Sequence, residues 1–171
     1  SCMGKELITR EGPGTEEGDL EALHQALEGL PVDGVVIGAI ASDYQWDRIN
    51  GVCEDLDLPA YCPLWRKDQH MLMHDMVEAG MRTIVVTTSA EGLGPDWLGR
   101  EIDLTSLEEM EDIEARYGVN PSGEGGEFET LVIDSPMHLT PLRVVESDRE
   151  IFRDWSRLRI VRAEPGELDG A

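Results

Sequence analysis

The segment Val32 to Ile40 restricts the fold more than any other: it is a nearly continuous apolar run between Pro31 and Ser42. Such a run is the pattern of a strand buried on both faces of a parallel sheet, where neither side needs polar residues. The flanking patterns agree. Thr15 or Asp19 is placed to cap a helix running through Leu30, in which Leu20, Leu23, Leu27 and Leu30 recur at helical spacing. Ser42 ends the apolar run and starts a second helix with a stripe of Ile49, Val52, Cys53 and Leu56. Pro59 to Cys62 reads as a short strand, and so does Leu7 to Thr9 ahead of the breaker run Glu11-Gly12-Pro13-Gly14. Strands and helices that alternate in this way build a doubly wound layer. The layer is too small to stand alone, and the opening residues Ser1 to Ile8 read as a helix end running straight into a strand. The expectation is a chain that starts in mid-fold.

The remainder changes character. A helix from Asp68 to Ala79 closes at Gly80, a β-branched strand spans Thr83 to Ser89, and a helix from Leu104 to Tyr117 stops at Gly118. After the glycine-rich Ser122 to Gly126, Glu127 to Asp134, Leu139 to Ser147 and Phe152 to Ala163 read as strands joined by turns at Pro136 and Asp148, with a frayed end from Glu164 to Ala171. The fold class is therefore α/β: an incomplete doubly wound, Rossmann-like parallel sheet over residues 1–65, followed by a smaller α+β domain over residues 66–171 with antiparallel or mixed strands.

Acidic residues outnumber basic ones 36 to 14, for a formal charge of −22, and Lys5 and Lys67 are the only lysines. A field of that sign repels nucleic acid. Spread over every segment, the acid excess suits a halophilic protein whose self-repulsion is screened by high salt, or else a plain acidic surface. Cys2, Cys53 and Cys62 make an odd count without metal-ligand spacing, which points to a reducing cytoplasmic setting. The longest apolar stretch, Gly34 to Ala41, is too short to span a bilayer, so no membrane partner is expected.

Four segments are candidates for chemistry. Gly38-Ala39-Ile40-Ala41-Ser42-Asp43-Tyr44-Gln45 lies where a strand hands over to a helix. Ligands collect at that edge of an α/β sheet, and the helix start suits a phosphate; equally, Ser42 can serve only as a cap. In Ser122-Gly123-Glu124-Gly125-Gly126-Glu127-Phe128-Glu129-Thr130, glycines precede a strand. Period two there puts Glu127 and Glu129 on one face and Phe128 and Thr130 on the other. Two like charges side by side repel unless a cation, a metal or a shared proton lies between them, or unless water solvates both. Glu91 to Arg100 is a loop in which Trp97 and Arg100 either line a pocket or cover the core. Pro63-Leu64-Trp65-Arg66-Lys67 joins the two regions, with Trp65 as a ligand contact or a packing anchor. His70 and His74 lie four apart on a helix but lack a third ligand nearby, so no metal site is expected.

Taken together, Gly38-Ala39-Ile40-Ala41-Ser42-x-Tyr44-Gln45-x-x-Arg48, Pro63-Leu64-Trp65, Glu91-Gly92-Leu93 with Trp97-Leu98-Gly99-Arg100, and Gly123 to Leu131 resemble the diphthine–ammonia ligase family. The likeness covers Met3 to Met137 and suits an archaeal source. It implies ATP-dependent amidation of diphthine, a modified histidine of translation elongation factor 2, through an adenylate that ammonia captures. It implies ATP with Mg as cofactor of the complete enzyme and elongation factor 2 and ammonia as partners, and sets no oligomeric state. The family's Ser-Gly-Gly-x-Asp-Ser pyrophosphate loop does not occur here. The expectation is a truncated, substrate-side half that binds no ATP by itself, the alternative being a non-catalytic binding module or a split subunit needing a partner. Two departures stand out: Trp46 replaces a basic residue, and Asn120 a histidine. Carried over by position, the catalytic candidates are Glu127, Glu129 and Glu124. The nucleotide candidates are Gly38, Ser42, Tyr44 and Gln45, and the substrate candidates are Trp65, Trp97, Arg100, Gly125 and Gly126.

Overall fold

The structure is a computed structural model that describes residues 2–166. It divides into two compact units, one of residues 6–67 and one of residues 1–5 with 68–171, each with its own packing. Among the described residues no helix is long and apolar enough to cross a membrane.

In the unit of residues 6–67, helix α1 (Glu16–Leu27) begins behind Thr15 and carries Glu16, Glu17 and Asp19 in its first turn, where acids complement the helix dipole. Strands β1 (Val35–Val36) and β2 (Ala60–Tyr61) pair in parallel, Val35 with Ala60 and Val36 with Tyr61. Helix α2 (Asp43–Asp55) lies between them in sequence, with Val52 and Cys53 buried. Two expectations fail here. Leu7 to Thr9 forms no strand, and Leu7 is 82% exposed. The Val32–Ile40 run is not buried on both faces: Ile37 and Ala39 are buried while Val36 is 73% exposed. Alternation, not continuous burial, governs a strand covered on one side, and the parallel layer amounts to one pair of strands among the described residues.

The other unit is an antiparallel sheet packed against helices. Helix α3 (Gln69–Glu78) starts at Asp68, whose carboxylate accepts the Met71 N–H at 2.9 Å. Helix α4 (Leu104–Tyr117) starts in a reciprocal box, Asp103 accepting from the Ser106 N–H at 2.7 Å and Ser106 Oγ accepting from the Asp103 N–H at 2.8 Å. Strand β3 (Arg82–Thr88) is central in the order β4-β3-β6-β5, with β4 (Phe128–Asp134), β5 (Leu142–Ile151) and β6 (Ser156–Pro165). Every pairing is antiparallel, which decides between the antiparallel and mixed arrangements expected.

It is β3 that is buried on both sides. Val85 joins Met73, Trp97, Ile102, Leu107, Met110 and Phe128 in one cluster, and Ile84 joins Leu98, Ile133 and Leu158 in a second. The turn expected at Asp148 is also corrected. Asp148 lies inside β5 opposite Arg159, and the chain reverses at Phe152–Trp155 instead. Opposite charges across the ladder, Arg159 with Asp148 and Arg157 with Glu150, let acidic residues occupy a strand that composition alone reads as a break. Glu164 and Pro165, expected within a frayed end, instead close β6; the rest of that expectation, residues 167–171, lies outside the described residues.

Candidate functional site

The glycine-rich turn enters β4 next to the carboxyl end of β3, and the two are tied at Ser89. Its Oγ donates to the Gly126 carbonyl at 2.6 Å, and its N–H donates to the Glu127 carbonyl at 2.8 Å. Gly123 and Gly126 both take positive φ, +74° and +81°, a region that residues with a Cβ rarely enter. This tight path folds the Glu127 side chain back over Gly125. A Cβ at Gly125 would lie 2.5 Å from Glu127 Oε1.

Glu127 is held by one oxygen only. Oε1 accepts the Asn120 N–H at 3.1 Å, whereas Oε2 is shielded from solvent and has no hydrogen-bond partner among the described residues. A shielded carboxylate oxygen without a donor costs on the order of 1–3 kcal/mol, more when charged, so the position calls for a donor from outside the chain. The loop that supplies Asn120 is itself fixed. Asn120 Oδ1 accepts from the Ser122 N–H at 2.9 Å, and Ser122 Oγ lies 2.6 Å from Gln69 Oε1 at the start of α3.

Exposure along the strand does not divide simply by face. Phe128 is buried, but Thr130 is exposed together with Glu129. Phe128 packs in one core cluster and Leu131 and Ile133 in the other, as period two requires. Glu127 is the shielded acid. Glu129 faces water, and Glu124 is exposed in the turn.

The remaining candidates of this unit pair with their own chain. Trp97 is 3% exposed within the core, and the Arg100 guanidinium covers its ring at 4.4 Å from the centroid. Arg100 is in turn held by two 2.6 Å bonds to Glu109, which keep the Glu109 carboxyl below its usual range. That is the packed arrangement of the two weighed from sequence. His70 and His74 face Glu111 and Glu114 of α4, with His70 Nε2 3.0 Å from Glu114. Among the described residues no group of three or more His, Cys, Asp or Glu is arranged to hold a metal ion.

In the unit of residues 6–67, Ser42 caps α2, its Oγ accepting the Gln45 N–H at 3.3 Å. Gly38 is exposed, and a Cβ there would meet nothing within 4 Å, so the backbone can be approached closely from that side. Beside the cap, Arg66 donates to Asp43 at 2.9 Å, and its N–H reaches the Ile40 carbonyl at 2.7 Å. Tyr44 lies under the Arg48 guanidinium, 3.3 Å from its ring centroid, and both engage Glu16. The Tyr44 hydroxyl foremost, then Arg48, holds the Glu16 carboxyl below its usual value, and Glu16 in turn raises Tyr44. Trp65 stacks on Trp46 with centroids 5.3 Å apart. The departure at position 46 thus has a structural role, supplying the ring on which Trp65 rests.

Sequence reasoning passed over Ser89, the Asn120 backbone donor, and the stacked pair Phe152 and Trp155. The first two act through backbone contacts that no side-chain pattern announces. For the third there was a signal: two aromatic residues flanking the charged pair Arg153-Asp154, as a turn does.

Family models described as the diphthamide synthase N-terminal domain and the diphthamide synthase C-terminal domain match residues 1–60 and 68–165. The diphthine–ammonia ligase of Danio rerio is 38% identical over 156 residues, covering 86% of this chain and 59% of its own length. That of Homo sapiens is 35% identical over 154 residues, covering 86% and 57%. That of Schizosaccharomyces pombe is 37% identical over 151 residues, covering 83% and 24%. The chain thus spans little more than half of the first two relatives and about a quarter of the third.

Proposed function

This chain belongs to the diphthamide synthase family, and from that premise we propose that it supplies the substrate-side half of a diphthine–ammonia ligase. The reaction is the ATP-dependent conversion of the diphthine carboxylate on elongation factor 2 to the carboxamide of diphthamide. ATP supplies the leaving group: the carboxylate becomes an acyl adenylate, and pyrophosphate departs. Ammonia then attacks the acyl carbon, the bond to the AMP oxygen breaks, and the nitrogen sheds a proton as the amide forms.

The observation that carries this reading is the shielded, unpartnered Oε2 of Glu127 at the mouth of the glycine-rich turn. A carboxylate fixed through Oε1 by the Asn120 N–H keeps its second oxygen free to accept from an N–H donor once a small shift of the turn uncovers it. In this role Glu127 orients the ammonia nitrogen and accepts its proton, general-base assistance worth roughly 10²–10⁴-fold in rate. Glu129, solvated, adds negative potential that favours ammonium near the turn. Gly125 and Gly126 give a flat approach for the acyl group.

The nucleotide surface in this reading is the exposed backbone at Gly38 with the first turn of α2 behind Ser42 and Gln45, where N–H groups and the helix dipole favour phosphate. Such a surface belongs to a Rossmann-like layer completed by the rest of the longer protein. Mg would neutralise phosphate charge.

The test is the product balance of the longer protein given diphthine-bearing elongation factor 2, ATP and ammonium. One AMP and one pyrophosphate released per carboxamide, the latter seen by mass spectrometry, is the expected result. Release of ADP and phosphate, or absence of the carboxamide, overturns the proposal.

A further inference from the structure

A cavity of about 450 Å³ opens between the carboxyl end of β3, the loop at Gly94–Pro95 and the tip of the β5–β6 hairpin. Ser89 forms part of its wall and at the same time bonds Gly126, so the cavity and the turn that carries Glu127 share a residue.

The hairpin tip forms the rim. The Phe152 N–H donates to the Trp155 carbonyl at 3.0 Å, closing the reversal around Arg153 and Asp154. The two rings stack with centroids 4.1 Å apart and planes 16° off parallel. Neither ring belongs to a core cluster. Phe152 is 48% and Trp155 38% exposed, and the Arg153 and Asp154 side chains are almost wholly in solvent. Tight reversals are ordinarily built from small and polar residues that favour the turn. Two large rings at a solvent-facing tip, one of them under Arg157 at 5.7 Å, leave apolar surface open, and pre-stacked aromatic residues beside an arginine are the composition of energetic hot spots in protein interfaces.

We propose that this tip is the docking surface for the folded protein that carries the carboxylate to be amidated, and that it holds the presenting loop over the cavity. The proposal rests on the reading above that the substrate is a side chain of a protein. Two features select a macromolecule over a small ligand. Arg153 and Asp154, reaching into solvent, meet only a partner that overhangs the mouth. Of the charged groups lining the cavity, Arg153 and Asp154 pair with each other at 3.8 Å, which leaves the Glu91 carboxylate to complement a cationic side chain that enters while its own loop rests on Phe152 and Trp155.

The test uses the full chain and elongation factor 2 bearing unamidated diphthine, with affinity measured by titration. Phe152→Ala with Trp155→Ala is expected to weaken binding by about tenfold or more. Arg153→Glu, at a side chain with no packing role, is expected to weaken it as well, with amide exchange of β5 and β6 unchanged in both variants. Unchanged affinity in both overturns the proposal, as does loss of affinity only where β5–β6 protection is lost. A chain that dimerises through the tip, shown by sedimentation in which the double variant alone becomes monomeric, overturns it in favour of self-association. These failures differ from failure of the functional reading: a longer protein that amidates normally while tip variants bind as tightly as the native chain refutes the tip alone.

Discussion

Replacing the three turn glycines by alanine one at a time separates space from backbone conformation. At Gly123, φ is +74° and a Cβ would meet the Phe128 carbonyl at 2.8 Å, a backbone atom with little freedom to move. Left-handed strain of about 1–2 kcal/mol adds to overpacking of similar size, giving roughly 2–4 kcal/mol of destabilisation. At Gly126, φ is +81° but nothing lies within 4 Å, so only the strain of about 1–2 kcal/mol applies. At Gly125 the backbone is ordinary and the clash is with the Glu127 carboxylate, which swings away. That loses a charged hydrogen bond of roughly 1.5–3 kcal/mol, offset by about 0.4–1 kcal/mol from a less free unfolded chain. The assay is urea unfolding by tryptophan fluorescence in a Trp46→Phe, Trp65→Phe background, where Trp97 and Trp155 report on the antiparallel unit. Gly123→Ala should lower the midpoint by roughly 1 M or more at ordinary slopes. Gly125→Ala, with a net cost of about 0.5–2.6 kcal/mol, should unfold later than Gly123→Ala and yet lose the most amidation in the longer protein. A Gly125→Ala variant that is the least stable, or that keeps full activity, refutes the reasoning.

Further outcomes are expected elsewhere. Ser89→Ala removes the 2.6 Å bond to the Gly126 carbonyl and, by loosening the turn, should speed exchange of the Gly126 N–H held on the Gly123 carbonyl while costing about 1 kcal/mol, read by exchange and urea midpoint. Glu109 has a carboxyl depressed below its ordinary 4.5, chiefly by the Arg100 hydrogen bonds, so its contribution is present above 4.5 and lost as pH falls through the depressed value. Glu109→Gln should therefore flatten the acid end of the stability profile and leave its neutral-to-alkaline shape unchanged. With a charge of −22, the chain should gain stability from low to molar salt as self-repulsion is screened; a falling midpoint would instead show that its ion pairs outweigh the repulsion.

Much of this architecture is legible in the chain where caps and periodicity agree. Helix α4 runs from Leu104 to Tyr117 as its capping residues and Gly118 announce, and Ser42 and Asp68 start the helices they were expected to start. The misreadings share a cause: partner strands decide what a local pattern means. Val32–Ile40 is apolar enough for two-sided burial yet pairs with a single strand, while the β-branched Arg82–Thr88 holds the centre of a sheet. Asp148 suggests a turn until Arg159 stands opposite it. At the candidate site the glycine string was visible in sequence. The asymmetry between Glu127 and Glu129 was not, because the path of the glycine turn and the Asn120 backbone donor create it.

The account stands most directly on the difference between those two acids. Glu127→Gln and Glu129→Gln, made separately in the longer protein, should be compared by the ammonium dependence of carboxamide formation on elongation factor 2. The account predicts a rate loss of roughly 10²–10⁴-fold for Glu127→Gln and a change within about tenfold for Glu129→Gln. Equal rates for the two variants, or the larger loss at Glu129, would contradict it.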